Sequence, residues 1–190
     1  MALSTRGKAQ AIAGGRGGQH TLAVPLAPRL AARIAERPWE AFLTDPTQLA
    51  NGLGDLLDAV RPDGVAVTTP SMDVPGHREA ALEATRRLRV SAGDGAVLVA
   101  VLGSGDVDAV TAFLGAGVDG VVLEGVADPA AARTIANMCR FHRVMAVAPT
   151  RVALDAPVPA TGLVVTDGEC PADTDVTALA DWVAGVRGGA

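Results

Sequence analysis

The residues of this chain best suited to chemistry stand just behind its short apolar runs. Thr68, Thr69 and Asp73 end or follow the run at 65–69, and Ser104 and Asp106 follow 96–102. Glu124 and Asp128 follow 120–123, Thr150 and Arg151 follow 144–148, and Thr166, Asp167, Glu169 and Cys170 end or follow 163–166. Carboxylates in such places serve as general acids or bases, hydroxyls orient a substrate, and an arginine grips a carboxylate in a planar fork. Asp73, Glu124 and Asp167 are therefore the candidate catalytic residues. Thr68, Thr69, His77, Ser104, Arg151 and Thr166 are the candidate substrate contacts, His77 being the one histidine at a helix start on that side. Glu124 directly follows an apolar strand, precedes Gly125 and comes too early to cap the next helix. It is either a solvated loop charge or a general base or metal ligand. Asp167, with Gly168 behind it, repeats the arrangement, and Arg151 is open to a solvated-loop reading. Asp106 and Asp128 also fit helix N-caps, whose carboxylates accept backbone N–H bonds. Gly103-Ser104-Gly105 has the place of a phosphate cradle, but Asp108 stands where a dinucleotide fingerprint needs glycine.

The elements that must hold these residues follow one grammar. Residues 115–149 read as a complete βαβ unit: a strand at 120–123, a loop with Glu124, a helix opened by Asp128-Pro129 and a strand at 144–148. Further strands are predicted at 21–26, 65–69, 96–102 and 163–166, alternating with helices. The clearest helix follows Asp45-Pro46, where Leu49, Leu53, Leu56, Leu57 and Val60 share one face. Others are predicted from Pro28 to Pro38, over 77–89, after Asp106 and over 173–186, while Trp39 and Phe42 form an irregular elbow. Residues 149–160 carry three prolines and no helical face where a crossover helix belongs. About six strands alternating with helices imply a mostly parallel sheet with right-handed crossovers, and ligands then bind at the strands' C-terminal ends. A full eight-stranded barrel usually needs ~250 residues. The expected fold for these 190 residues is thus α/β, a parallel (βα) barrel-like fold reduced to about six strands. Residues 1–19 read as a flexible Gly-rich tail and 20–190 as a single barrel-like domain. Uncovered strand edges predict a homodimer, or coverage of the edge by 149–160.

Composition removes several function classes. The only lysine, Lys8, lies in the tail, so a Schiff-base mechanism has no lysine in the site. A net charge of -5 and an aromatic content of 3% without tyrosine leave little to attract phosphates or stack on bases. Nucleic acid is not an expected partner, although the single GGRGG stretch is the feature that would favour it. No apolar run is long enough for a membrane span, and two cysteines make no disulfide framework, so the expected location is cytoplasmic. Cys139, His142 and Cys170 would be the zinc candidates, but the predicted topology puts them at opposite ends of the sheet, and no metal site is assigned. High Ala, Val, Gly and Arg suggest a bacterial source with a GC-rich genome.

Several stretches resemble two known families. PWEAFLTDPTQLANGLGDLLDAVRPDGVAV, REAALEATRRLRVSAGDGAVLVAVLGSG and IANMCRFHRVMAVAP are similar to successive parts of the uroporphyrinogen decarboxylase-like superfamily, which includes cobalamin-linked methyltransferases. The resemblance implies a distorted, often dimeric (βα) barrel, here truncated, that handles tetrapyrroles or methyl groups. It carries one catalytic residue across, Asp73 within SMDVPG; the sequence has no tyrosine to match the decarboxylase's, and lacks the methyltransferases' H-x-C zinc pattern. GAGVDGVVLEGVADPAAARTIANMCRF resembles metal-dependent 2-oxoacid aldolases of the citrate-lyase-like group, which implies magnesium held by Glu124. The leading expectation is a cofactor-free, decarboxylase-like lyase acting on a carboxylated small molecule. In it Asp73 or Glu124 is the acid–base group, Arg151 holds the carboxylate, and Thr68 or Asp167 positions the substrate. A magnesium-dependent carbon–carbon lyase and a non-catalytic binding or assembly protein are the alternatives.

Overall fold

The computed structural model describes residues 3–72, 74–125, 128–146 and 148–188. In chain order the elements are α1 (Thr5–Ala11), β1 (Thr21–Ala23), α2 (Pro28–Ile34), α3 (Trp39–Thr44), α4 (Pro46–Val60) and β2 (Gly64–Thr68). Next come α5 (His77–Ala92), β3 (Val97–Leu102), α6 (Val107–Ala116), β4 (Gly120–Leu123) and α7 (Pro129–His142). The chain ends with β5 (Met145–Ala146), β6 (Thr150–Val152), β7 (Gly162–Thr166) and α8 (Val176–Val186). The strands form a four-stranded sheet, β2-β3-β4-β5, and a three-stranded sheet, β1-β7-β6, and every pairing is parallel. The architecture is therefore parallel α/β. Where an elbow was expected, α3 forms, its Trp39 and Phe42 rings stacked 6.0 Å apart. The unexpected strand is β6, which lies along the C-terminal half of β7 with Val152 opposite Thr166.

Two Asp-Gly pairs explain how strands are launched. Asp63 donates its N–H to the Ala23 carbonyl and accepts the Val97 N–H on its own carbonyl, both at 2.9 Å. Its carboxylate accepts the Ala23 N–H at 2.8 Å and is clamped by Arg187 at 2.9 Å. Asp119 repeats this arrangement between Leu98 and Met145, and its buried carboxylate is held by Arg6 at 3.0 Å and by Arg89. Each aspartate satisfies an edge amide that burial would otherwise orphan. The glycine behind Asp63 is a packing necessity: a Cβ on Gly64 would lie 2.1 Å from the Val97 carbonyl oxygen. The Asp63 bonds also tie β1 of one sheet to the start of β2 and β3 in the other.

Alternation along the strands splits the core in two. Leu22, Val24, Ala66, Val97, Val99, Val101, Val122, Met145, Leu163 and Val165 meet one another in one cluster. The intervening residues, among them Val65, Val67, Leu98, Ala100, Val121 and Val164, pack under the helices with Leu49, Leu53, Phe113 and Trp182. Strands with apolar residues on both faces are those of a sheet covered on both sides. The first of these clusters is completed by Ala9 and Ile12. The supposed tail is accordingly corrected over its described residues. Ser4 caps α1 by accepting the Gly7 N–H, and Ala9, Ala11 and Ile12 are buried. Small residues concealed this face in the sequence, because alanine contributes little to a hydrophobic pattern yet seats a helix closely.

Candidate functional site

At the C-terminal ends of β2 and β3, between the starts of α5 and α6, lies a cleft of about 210 Å³. Thr68, Thr69, His77 and Ser104 line it together, over a floor that includes Val101 and Phe113. Four of the predicted substrate contacts, drawn from two βα loops, thus meet in one place. The β2–β3 register breaks between Ala66 and Thr68, an irregularity of the kind that re-aims a side chain next to a site. His77 is buried; its Nδ1 lies 2.9 Å from the Leu43 carbonyl and its Nε2 3.1 Å from the Thr68 hydroxyl. A carbonyl oxygen only accepts, so Nδ1 carries the proton, and in the neutral ring Nε2 accepts from Thr68. Thr69, also buried, has its hydroxyl 3.4 Å from that of Ser71.

The cleft's rim holds an arginine that sequence reasoning passed over. Arg78, next to His77 on the first turn of α5, donates to Asp106 at 3.1 Å. Asp106 caps α6 through the Asp108 and Ala109 amides, as the sequence allowed. The Ala109 amide, with that of Asp108 and the Arg78 guanidinium, holds its carboxyl below the usual range. The available signal for Arg78 was its place beside the one histidine on the site side.

A second cluster joins the ends of β4 and β6. Arg151 donates to the Glu124 carboxylate at 2.6 Å, and its other arm reaches the Asp167 carbonyl at 3.5 Å. Both side chains are partly open, 39% for Arg151 and 34% for Glu124. Asp167 therefore enters this cluster through its main chain. Thr166 lies elsewhere than expected: it is buried, accepts the Leu26 N–H at 3.1 Å and donates to the Gly168 carbonyl at 2.6 Å. Its hydroxyl shapes the β7 loop. Glu169 accepts from Ser71, linking the loops after β7 and β2, and Asp128 caps α7. Asp73 lies outside the described residues.

No family model, curated protein or solved structure matches the chain. The chemistry of the site rests on its own geometry. Among the described residues no three His, Cys, Asp or Glu side chains are grouped to hold a metal ion. Glu124, the residue proposed for magnesium, faces a guanidinium instead of a second carboxylate. Cys139 and Cys170 are buried free thiols; burial raises both, Cys170 to about 11, so neither is a ready nucleophile. No helix among the described residues is long and apolar enough to cross a membrane.

Proposed function

We propose that this chain is a decarboxylase-like lyase on a small (βα) barrel of the uroporphyrinogen decarboxylase-like type, acting on a small carboxylated molecule at the strands' C-terminal ends. Three features favour a barrel over two separate sheets. The Asp63 bonds bring β1 beside β2. β5 pairs with β4 while β6, three residues further on, pairs with β7. One apolar cluster takes residues from six of the seven strands. At the opposite end lie α1 and the buried Asp63 and Asp119 clamps, whose polar groups are already engaged.

The observation that carries the reaction is the Arg151–Glu124 pair, at 2.6 Å and partly open. A substrate carboxylate can replace Glu124 on the Arg151 fork, because it offers the same planar pair of oxygens. Glu124, displaced from the guanidinium, then lies beside the bound acid as its proton donor. As the carbon–carboxylate bond breaks, CO2 leaves and the electron pair stays on carbon, where the proton of Glu124 quenches it. The neighbouring cleft, of about 210 Å³, offers room for a small acid beside the pair.

Binding by acetoacetate tests this reading. A ligand present at about 100 times its Kd stabilises by ~2.7 kcal/mol, a shift in Tm of roughly 5 to 10 °C for a chain of this size. Wild type should show that shift with acetoacetate and little with a porphyrinogen, and Arg151→Gln should lose it. Equal shifts in wild type and Arg151→Gln would count against the pair as the site.

A non-catalytic binding protein is the second reading, favoured by the number of polar candidates already engaged. Asp106 and Asp128 are caps, and Thr166 holds a loop. That protein would bind the acid without releasing CO2. The magnesium reading does not fit the residues present: Glu124 is held by a cation and no second carboxylate joins it among the described residues.

A further inference from the structure

We propose that the cleft between β2 and β3 is an oxyanion subsite in its own right, in which Arg78 grips a carboxylate or phosphate group against the hydroxyls of Thr69 and Ser104. The inference rests on the reading that ligands enter at this end of the strands, but not on the reaction assigned to Arg151 and Glu124. The geometry is what singles out Arg78.

The charge balance of the cleft decides the sign of its ligand. Among the described residues its lining holds one permanent cation, Arg78, and one carboxylate, Asp106. Asp106 is already compensated: Oδ1 accepts the Asp108 amide at 2.9 Å and the Ala109 amide at 3.2 Å, and Oδ2 accepts from Arg78. It has little affinity left for a cationic ligand. Arg78 is in a different position. Its guanidinium carries five N–H donors in a fixed fork, and among the described residues its bond is to Asp106, through Nη2. Its side chain is 52% exposed, so it swings without breaking a packed layer. A second oxyanion therefore completes the fork at small cost, whereas a guest cation would face the guanidinium uncompensated.

The walls supply the rest of the recognition. Thr69 is 1% exposed and, among the described residues, its hydroxyl has the long 3.4 Å approach to Ser71, so a donor to an incoming oxygen is available behind the rim. Ser104 projects from the opposite loop into the same cleft. His77 adds an imidazole whose proton is fixed on Nδ1 by the Leu43 carbonyl, which turns Nε2 and Thr68 toward each other as a rigid polar wall. A volume of about 210 Å³ suits a compact acid or a single phosphate group.

The test is a titration of the intact chain, followed by amide resonances, with sodium malonate in one arm and inorganic phosphate in the other. Saturable shifts are expected at Thr69, Arg78, Gly103 and Ser104, and whichever probe saturates at the lower concentration identifies the class of oxyanion. Arg78→Gln should weaken that binding at least tenfold and Arg78→Lys should restore part of it, since charge returns without the fork. Ser104→Ala, an exposed change that leaves the fold intact, should weaken it a few-fold. The absence of saturable shifts in both arms would overturn the proposal, as would affinity unchanged in Arg78→Gln. Shifts that disappear in Arg151→Gln but survive in Arg78→Gln would also overturn it, while leaving the Arg151–Glu124 reading intact. Conversely, loss of the response to Arg78→Gln alone supports the subsite even if Arg151→Gln has no effect on acetoacetate binding.

Discussion

Asp119 shows how much one carboxylate can organise. Its side chain is 5% exposed, accepts the Leu98 amide, and lies between Arg6 and Arg89, which come from α1 and α5. Removing one member of a buried pair leaves the other charge without its partner, typically at a cost of 3–5 kcal/mol. Because Arg6 is 38% exposed and can turn to water, Asp119→Ala is predicted to cost about 3 kcal/mol in urea denaturation, and Asp119→Asn less. The cysteines make a second prediction. Burial raises both thiols above their ordinary 9.0, so the folded state holds their protons to higher pH than the unfolded state does. Their contribution to stability is complete below about pH 9 and falls as pH rises through the raised values. Iodoacetamide at pH 8 should leave both unlabelled in native protein and label two on unfolding. Asp106 works in the other direction: its lowered carboxyl stabilises above 3.8 and that contribution is lost as pH falls through the lower folded value. At this scale the sequence was partly legible. The Asp106 and Asp128 caps were readable because a cap is a local motif, whereas the fates of Thr166 and Arg78 depend on residues far along the chain, Leu26 and Asp106.

Among the elements, α1 is the one whose role changes most. A helix of seven residues is marginal alone, and it persists here because Ala9 and Ile12 close an apolar cluster that the strands leave open. Ile12→Asp should therefore cost more than the 2–5 kcal/mol of an ordinary Ile→Ala core truncation, since it also buries a charge. Its thermal midpoint, measured beside that of the exposed control Gln10→Asp, checks this. The elements that the sequence placed well are the long amphipathic ones. Buried Leu49, Leu53, Leu56 and Val60 of α4 fall where the helical period put them. The strand it missed, β6, has three residues and only one buried side chain. Its identity as a strand comes from pairing with β7, which no local pattern encodes.

On the scale of the whole molecule, the surface bears on how the fold is closed. The chain exposes 8831 Å², near the ~8,400 Å² expected of a folded monomer of its mass. The proline-bearing stretch at 153–161 helps to explain this. Pro157 and Pro159 pack against Gly185 and Gly188 at the end of α8, and the Ala160 amide bonds to the Val186 carbonyl. The same arrangement separates a stabilised end, with its aspartate clamps, from an end where Arg151, Glu124, Arg78 and His77 meet solvent or a cleft. We propose that this second end removes a carboxyl group. The rate of CO2 release from acetoacetate and related small acids, in wild type and Glu124→Gln, tests this most directly. Release by the wild type is expected, with a loss of about 100-fold or more in the variant, the usual yield of a positioned general acid. Release that is equal in the two proteins, or absent from both while the acids bind, would contradict it.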